Sequence, residues 1–438
     1  MGSIGPECSQ VDPTPLFSTR IEKWEPGAIR SLLPLESQPG TISLVAGKPN
    51  PGTFPFAEIA ITLKGPIGTK IVLDEADLNV GLQYGLPAGN GELIKWFESL
   101  QRRVHGVGEP SGWGCCIGNG SQELINRALQ VFTDPGDPIL VETPAYPGIL
   151  GMARADGQEL IQVHSDAQGL DPAGLEQTLV EWPSDCRRPK VLYTTPTGSN
   201  PTGQSCTELR KLEILRLAKR FNFMILEDDA YYFIDFEEIP SKRTRSYLAL
   251  EQEANGETGR VIRFDSLSKI VSAGLRVGVL TAPVAVIEKV CRITENINLQ
   301  PSSTTQLLAL SLLRHWGHSG FLKHCTQVAD VYRRRRDLFI AAAERHLIGR
   351  ATWHVPTAGM FLWLTLRLPA GRDSFELLGK QKLGNGILAI PGVAFMPGNE
   401  KGCHIRASYS LIPEEDMDEA CARIARLVDG LGLEDAVE

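Results

Sequence analysis

Between residues 115 and 283, apolar runs of strand length alternate with segments whose apolar residues recur at helical spacing. The runs CCIGNG, PILVE, ELIQV, KVLYTT, FMILED, VIRF and RVGVLTAP read as strands. Between them, SQELINRALQVF, PGILGMARA, PAGLEQTLVEW and TELRKLEILRLAKRF read as helices. That alternation predicts an α/β fold, a mostly parallel sheet covered by helices. From 284 to 347 the pattern turns helical and ends in VADVYRRRRDLFIAAAERHL, where the run from Arg333 to Arg336 reads as a solvated face. TAGMFLWLTL and HIRASYS then read as strands and EEDMDEACARIARLVDGL as a last helix, a smaller α+β domain. Near the start, a turn at Pro87-Ala88-Gly89 precedes a helix that places Leu93, Trp96, Phe97 and Leu100 in the core. The expected division is an N-terminal arm with part of a small domain over 1–58, a large domain over 59–315 and a C-terminal small domain over 316–438.

Composition narrows the function classes. At 438 residues, 42% hydrophobic and 22% charged, the chain can bury a substantial core in about two domains. A net charge of -8 leaves no basic footprint for nucleic acid or an anionic membrane, and no apolar run reaches the length of a membrane span. The N-terminal MGSIGPECSQVDPTP has neither the basic start nor the apolar core of a secretory signal, so the expected location is cytoplasmic. Nine cysteines without a C-x-x-C pair, and eight mostly dispersed histidines, argue against a disulfide framework and against a metal site.

The chemistry concentrates where VIRF runs into Asp265-Ser266-Leu267-Ser268 and a single lysine, Lys269. A lysine between two strands, open to a crevice, can act as a nucleophilic amine and form a Schiff base with a carbonyl. Ser266, Ser268 and Arg276, seven positions after Lys269, provide the donors that a phosphate beside that Schiff base needs. Those are the two demands of pyridoxal phosphate. The same residues also fit a plain loop lysine and an incidental arginine.

Other stretches bear on the choice. Ile117-Gly118-Asn119-Gly120-Ser121-Gln122 follows a strand and opens a helix, an anion site at a helix start. Gly118-x-Gly120 with Glu142 imitates a dinucleotide fingerprint, but the third glycine is missing. Asn200-Pro201-Thr202-Gly203 sets an amide at a strand's carboxyl end. Glu227, Asp228 and Asp229 follow an apolar run, where a carboxylate needs a cation or donors; a pyridinium nitrogen supplies one, and a helix cap is the plainer use. Tyr231, three residues after Asp228, could donate to a ring oxygen.

In this order, Ser121-Gln122, Tyr146 in ETPAYPG, Asn200 in NPTG, Asp228 and Tyr231 in EDDAYY, Ser266-x-Ser268-Lys269, Arg276 and the arginine of HIRASYS resemble the fold-type I pyridoxal-phosphate aminotransferases. The likeness covers about residues 20 to 430. The spacing from Lys269 to Arg276, with AGKPNPGTFPF, LQYGLPAG and AGMFLW, is similar to the kynurenine/alpha-aminoadipate and fungal aromatic aminotransferase branch.

The resemblance implies that Lys269 carries the pyridoxal 5'-phosphate and shuttles a proton between the substrate α-carbon and the cofactor. It implies further that Asp228 pairs with the ring nitrogen, Asn200 and Tyr231 bond the ring oxygen, and Tyr146 stacks on the ring. The phosphate would meet Ser121, Gln122, Ser266, Ser268, Arg276, and Tyr84 from a neighbouring subunit, which implies a homodimer with shared active sites. Arg406 would grip the substrate carboxylate, and Asn200 would bind substrate as well. Gly47 would let the N-terminal loop approach the substrate. Arg30 stands where this branch has a mobile arginine, but the following segment is shorter, and Lys48 replaces an apolar residue. The expected reaction is transfer of an aromatic amino acid's amino group (tryptophan, phenylalanine or tyrosine) to a 2-oxo acid by a ping-pong mechanism, in the manner of fungal enzymes that serve secondary metabolism. Kynurenine/alpha-aminoadipate transamination and pyridoxal-phosphate C-S lysis are the alternatives. The roughly forty Pro-rich residues ahead of the fold are not expected to supply a DNA-binding module.

Overall fold

Strands Pro138–Thr143, Val191–Thr194 and Met224–Asp228 are buried at every residue, which is what continuous apolar runs require of a sheet covered on both faces. They belong to one of two compact units in the computed structural model, which describes residues 9–28, 32, 35, 38–45, 47–64, 68–239, 242–380 and 386–434. One unit comprises Met1–Asp134 with Gly256–Lys323, the other Pro135–Asn255 with His324–Glu438.

In the second unit, Glu159–Asp166, Pro138–Thr143, Val191–Thr194 and Met224–Asp228 lie side by side in that order, all parallel. The short strand Gly169–Leu170 turns back antiparallel on the outer edge. Each helix between these strands starts or stops on a local signal. Pro147–Asp156 has proline at its first position and ends on Gly157 at φ 78°; Asp171 caps Pro172–Val180 by accepting from Ala173 N and Gly174 N; Glu208–Phe221 ends on Asn222 at φ 56°. Parallel strands with helical crossovers bring their carboxyl ends to one edge, and Tyr146, Asn200 and Asp228 lie at or just past three of those ends. The same unit holds an antiparallel sheet in the order Ala351–Thr352, Phe361–Leu366, His404–Ser408, Ile390–Pro391, and the helix Met417–Glu434.

The first unit is built on three antiparallel strands. Val277–Pro283 lies between Trp113–Asn119 and Val261–Ser266, with Val279 opposite both Ile117 and Asp265. Helices Gly91–His105, Ser121–Phe132 and Val284–Ile297 belong to it. Leu93, Phe97 and Leu100 are buried as expected. Trp96 is only partly buried and instead stacks on His318, ring centres 4.5 Å apart at 18°. No helix among the described residues is long and apolar enough to cross a membrane.

The arginine run corrects an expectation. Arg334 is solvated, its side chain 71% exposed, but Arg335 and Arg336 are 16% and 14% exposed. Arg335 donates to the carbonyls of Tyr409 and Ile412, and Arg336 to that of Pro356 while lying over the Phe236 ring. Long guanidinium side chains can cross a surface to satisfy loop carbonyls that no helix or sheet ladder reaches.

Candidate active site

In the first unit, Lys269 closes one 3-10 turn, Leu267–Lys269, directly after Val261–Ser266. Ser266 starts the turn by accepting from Ser268 N at 3.2 Å. Behind it, Arg263 is fully buried and meets Asp265 through Nε (3.1 Å) and Nη2 (2.8 Å), while Gln101 Nε2 donates to the same carboxylate at 2.7 Å. That buried pair, with Gln101 completing the carboxylate, anchors the strand that presents the lysine.

A second turn, Ala273–Leu275, leads to Arg276 at φ 51°. Left-handed backbone costs a residue bearing a Cβ of order 1 kcal/mol, so local contacts must hold it. Nη1 donates to Ser268 Oγ and Nη2 to Asn119 O, both at 3.3 Å. Asn119 ends a strand, Gly120 turns at φ 89°, and Ser121 begins the helix Ser121–Phe132. A Cβ on Gly120 would stand 2.2 Å from Arg276 Nη2, and one on Gly278 would stand 2.3 Å from Ser121 N. Glycine at both places lets a guanidinium and a strand close on the first N-H groups of the helix. Among the described residues Arg276 is bonded to a hydroxyl and two carbonyls and to no carboxylate, so cation and helix start together favour an anion. Gln122 is exposed and Ser121 half-buried.

In the second unit, Asp228 ends Met224–Asp228 and its Oδ2 accepts from Tyr193 Oη at 2.6 Å. Its neighbour Glu227 takes the plainer use that the sequence allowed, accepting from Tyr247 N and Leu248 N at the start of the helix Tyr247–Asn255. Asn200 Oδ1 accepts from Arg406 Nη1 at 2.6 Å, which leaves the amide's NH2 side to donate elsewhere. The Arg406 guanidinium lies 4.2 Å from the centre of the Phe361 ring and 5.0 Å from that of Phe395. Its Nε is buried without a hydrogen-bond partner among the described residues, and burial holds its pKa below the usual arginine range. Tyr231 is buried with its ring centre 6.0 Å from that of Phe361; burial first, then the Asp228 charge, push its phenol pKa up, so it stays a neutral donor. Tyr146 caps Pro147–Asp156, and its ring lies so close over Gly148 that a Cβ there would stand 2.2 Å from Cε1.

Ser121, Gln122, Ser266, Ser268, Lys269, Arg276, Tyr84 and Gly47 thus belong to one unit, and Tyr146, Asn200, Asp228, Tyr231 and Arg406 to the other. Tyr84 is 54% exposed. Gly47 and Lys48 are exposed, and a Cβ on Gly47 would meet none of the described residues within 4 Å. Arg30 lies outside the described residues. Tyr193, Phe361 and Phe395 escaped the sequence reading. A tyrosine in the fully buried strand Val191–Thr194 was the available signal, because a buried phenol needs a partner. A groove of about 940 Å³ in the second unit runs past Pro144, Thr202 and His404 and contains none of the expected site residues. Glu142, the acid of the rival dinucleotide pattern, is buried and accepts from Thr194 Oγ1 (2.6 Å) and Thr195 N (3.0 Å), which commits it to the sheet.

The comparisons with known proteins assign the chain to a family. The chain belongs to the family described as aminotransferase class I and II, whose model matches residues 72–424. It is 73% identical to aminotransferase tdiD of Emericella nidulans, over 98% of this chain and 99% of that protein. It is 38% identical to the mitochondrial kynurenine/alpha-aminoadipate aminotransferase of Bos taurus, over 92% and 96% of the two chains. Among solved structures, the aromatic aminotransferase Aro9 from Candida albicans superposes with a TM-score of 0.85 at 25% identity, over 98% of this chain and 100% of that one.

Proposed function

We propose that this aminotransferase uses pyridoxal 5'-phosphate to move the amino group of an aromatic amino acid to a 2-oxo acid in a ping-pong cycle. The observation that carries the reading is Arg406, a half-buried cation held by an amide and two phenyl rings, whose buried Nε has no hydrogen-bond partner among the described residues. A carboxylate is the group that satisfies it. The residues also fit the cofactor, since Gly120, Gly278 and Arg276 leave an anion cradle at a helix start and Asp228 offers a buried carboxylate.

When bound, pyridoxal phosphate supplies the aldehyde that receives the amino group and a ring that draws electrons from the substrate α-carbon. By the family resemblance, Lys269 would hold the cofactor and would be the base that moves the proton at the substrate α-carbon. Asp228 keeps the ring nitrogen protonated. Asn200 NH2 and Tyr231 Oη donate to the ring oxygen, and Tyr146 covers the ring face. Ser121, Gln122, Ser266, Ser268 and Arg276 receive the phosphate, together with Tyr84 from a second copy in a homodimer. Arg406, beside Asn200, orients the substrate carboxylate, with Gly47 and Arg30 near its side chain. The arm over 1–58, cofactor-binding domain over 59–315 and small domain over 316–438 belong to the same proposal, as does a cytoplasmic location, which cell fractionation tests.

The aromatic donor is supported by the name of the Candida albicans structure, and kynurenine or alpha-aminoadipate by that of the bovine relative. A screen of donors and acceptors, reading oxo-acid product, decides between them; a preference for alpha-aminoadipate over tryptophan, phenylalanine and tyrosine overturns the first choice. Lys269→Ala should abolish turnover, and borohydride reduction of the holoenzyme should label Lys269. A label on another lysine would displace the whole assignment.

A further inference from the structure

We propose that Tyr193 is a positioning residue for transamination: its hydroxyl fixes the Asp228 carboxylate and keeps it ionised for the cofactor's ring nitrogen. The inference rests on Asp228 being the ring partner. Tyr193 stands opposite Leu226 on the neighbouring parallel strand, in a segment buried at every residue. Phenylalanine would fill that space as well, so the hydroxyl needs its own reason. Among the described residues its acceptor is Asp228 Oδ2 at 2.6 Å, a length typical of a charge-assisted O-H to carboxylate bond. Tyr193 is 1% exposed and Asp228 8%.

The chemistry of the pair follows from that burial. A carboxylate taken out of water drifts toward its protonated form, and a protonated Asp228 cannot be the counter-ion of a pyridinium. A donor that itself holds its proton opposes the drift. Burial first, and the Asp228 charge second, push the Tyr193 phenol pKa well up, so the tyrosine keeps its proton and remains a donor to the carboxylate. The bond also fixes the plane of the carboxylate at the end of its strand, and with it the direction in which the charge is presented.

The decisive probe removes the ring nitrogen instead of the protein group. Wild-type and Tyr193→Phe apoenzymes are each titrated with pyridoxal phosphate and with its 1-deaza analogue, in which C-H replaces the nitrogen. Loss of one charge-assisted bond should weaken pyridoxal phosphate by about tenfold or more. Affinity for the analogue should change by less than about twofold. Partial misfolding of the variant would lower both affinities by the same factor, so their ratio stays informative. In an Asp228→Asn background, adding Tyr193→Phe should cost pyridoxal phosphate no further affinity. Equal losses for both ligands would reduce Tyr193 to a packing role and overturn the inference, as would no loss for either. A wild-type apoenzyme that bound both ligands equally would instead sink the Asp228 assignment, and this inference with it.

Discussion

A buried polar group at a strand end must be answered by something, and in this protein the answer decides its role. Three acids follow one another at 227 to 229, yet Glu227 caps a helix while Asp228 takes the phenol of Tyr193. Nothing local separates the two; strand pleat does, because successive side chains point to opposite faces. Glu142 carries a measurable consequence. Burial raises its pKa from 4.5 to about 7, against the opposing hydrogen bonds from Thr194 and Thr195. Between those values the folded chain keeps a proton that the unfolded chain has released. Stability therefore falls as pH rises through that window, and the loss is complete above it. At about 1.4 kcal/mol per pKa unit the contribution is of order 3 kcal/mol. Glu142→Gln should accordingly show a smaller drop in melting temperature than wild type between roughly pH 5 and pH 8. Parallel melting curves for the two proteins over that range would show that Glu142 titrates normally.

At the scale of elements, the anion cradle is made by how closely a strand and a helix start approach. Val277–Pro283 passes Gly120 and Ser121 so closely that a Cβ on Gly278 would stand 2.4 Å from Gly120 C, a contact with backbone that no rotamer change relieves. Gly278→Ala should therefore push the strand off the helix start, at a cost of about 1–3 kcal/mol in stability. The displaced N-H groups should weaken pyridoxal phosphate while sparing pyridoxal, which lacks the phosphate. Differential scanning calorimetry reads the first effect and paired titrations read the second. Equal weakening of both ligands would place the phosphate elsewhere.

For the whole molecule, the open question is what Tyr84 reaches, since its side chain is 54% exposed in the single chain. If sites are shared, a heterodimer of Tyr84→Phe with Lys269→Ala keeps one intact site, because the lysine-bearing chain receives Tyr84 from its neighbour. Pairing wild type with the Tyr84→Phe, Lys269→Ala double variant instead leaves the only lysine facing the defective tyrosine. Cofactor affinity at that site should drop about tenfold, the worth of one hydrogen bond to a charged phosphate. The opposite ranking of the two heterodimers would rule out sharing. Much of this protein was legible along the chain. Alternating strand and helix periods, Lys269 with Arg276 and the order of motifs are local signals, written in the spacing of neighbouring residues, and they sufficed for fold class and family. Only tertiary structure decided which groups meet across long separations: Asn200 with Arg406, Tyr193 with Asp228, Arg335 and Arg336 with loop carbonyls. Those partnerships depend on strand order and register, which bring residues as far apart as 200 and 406 into hydrogen-bond distance, and no spacing along a chain encodes them.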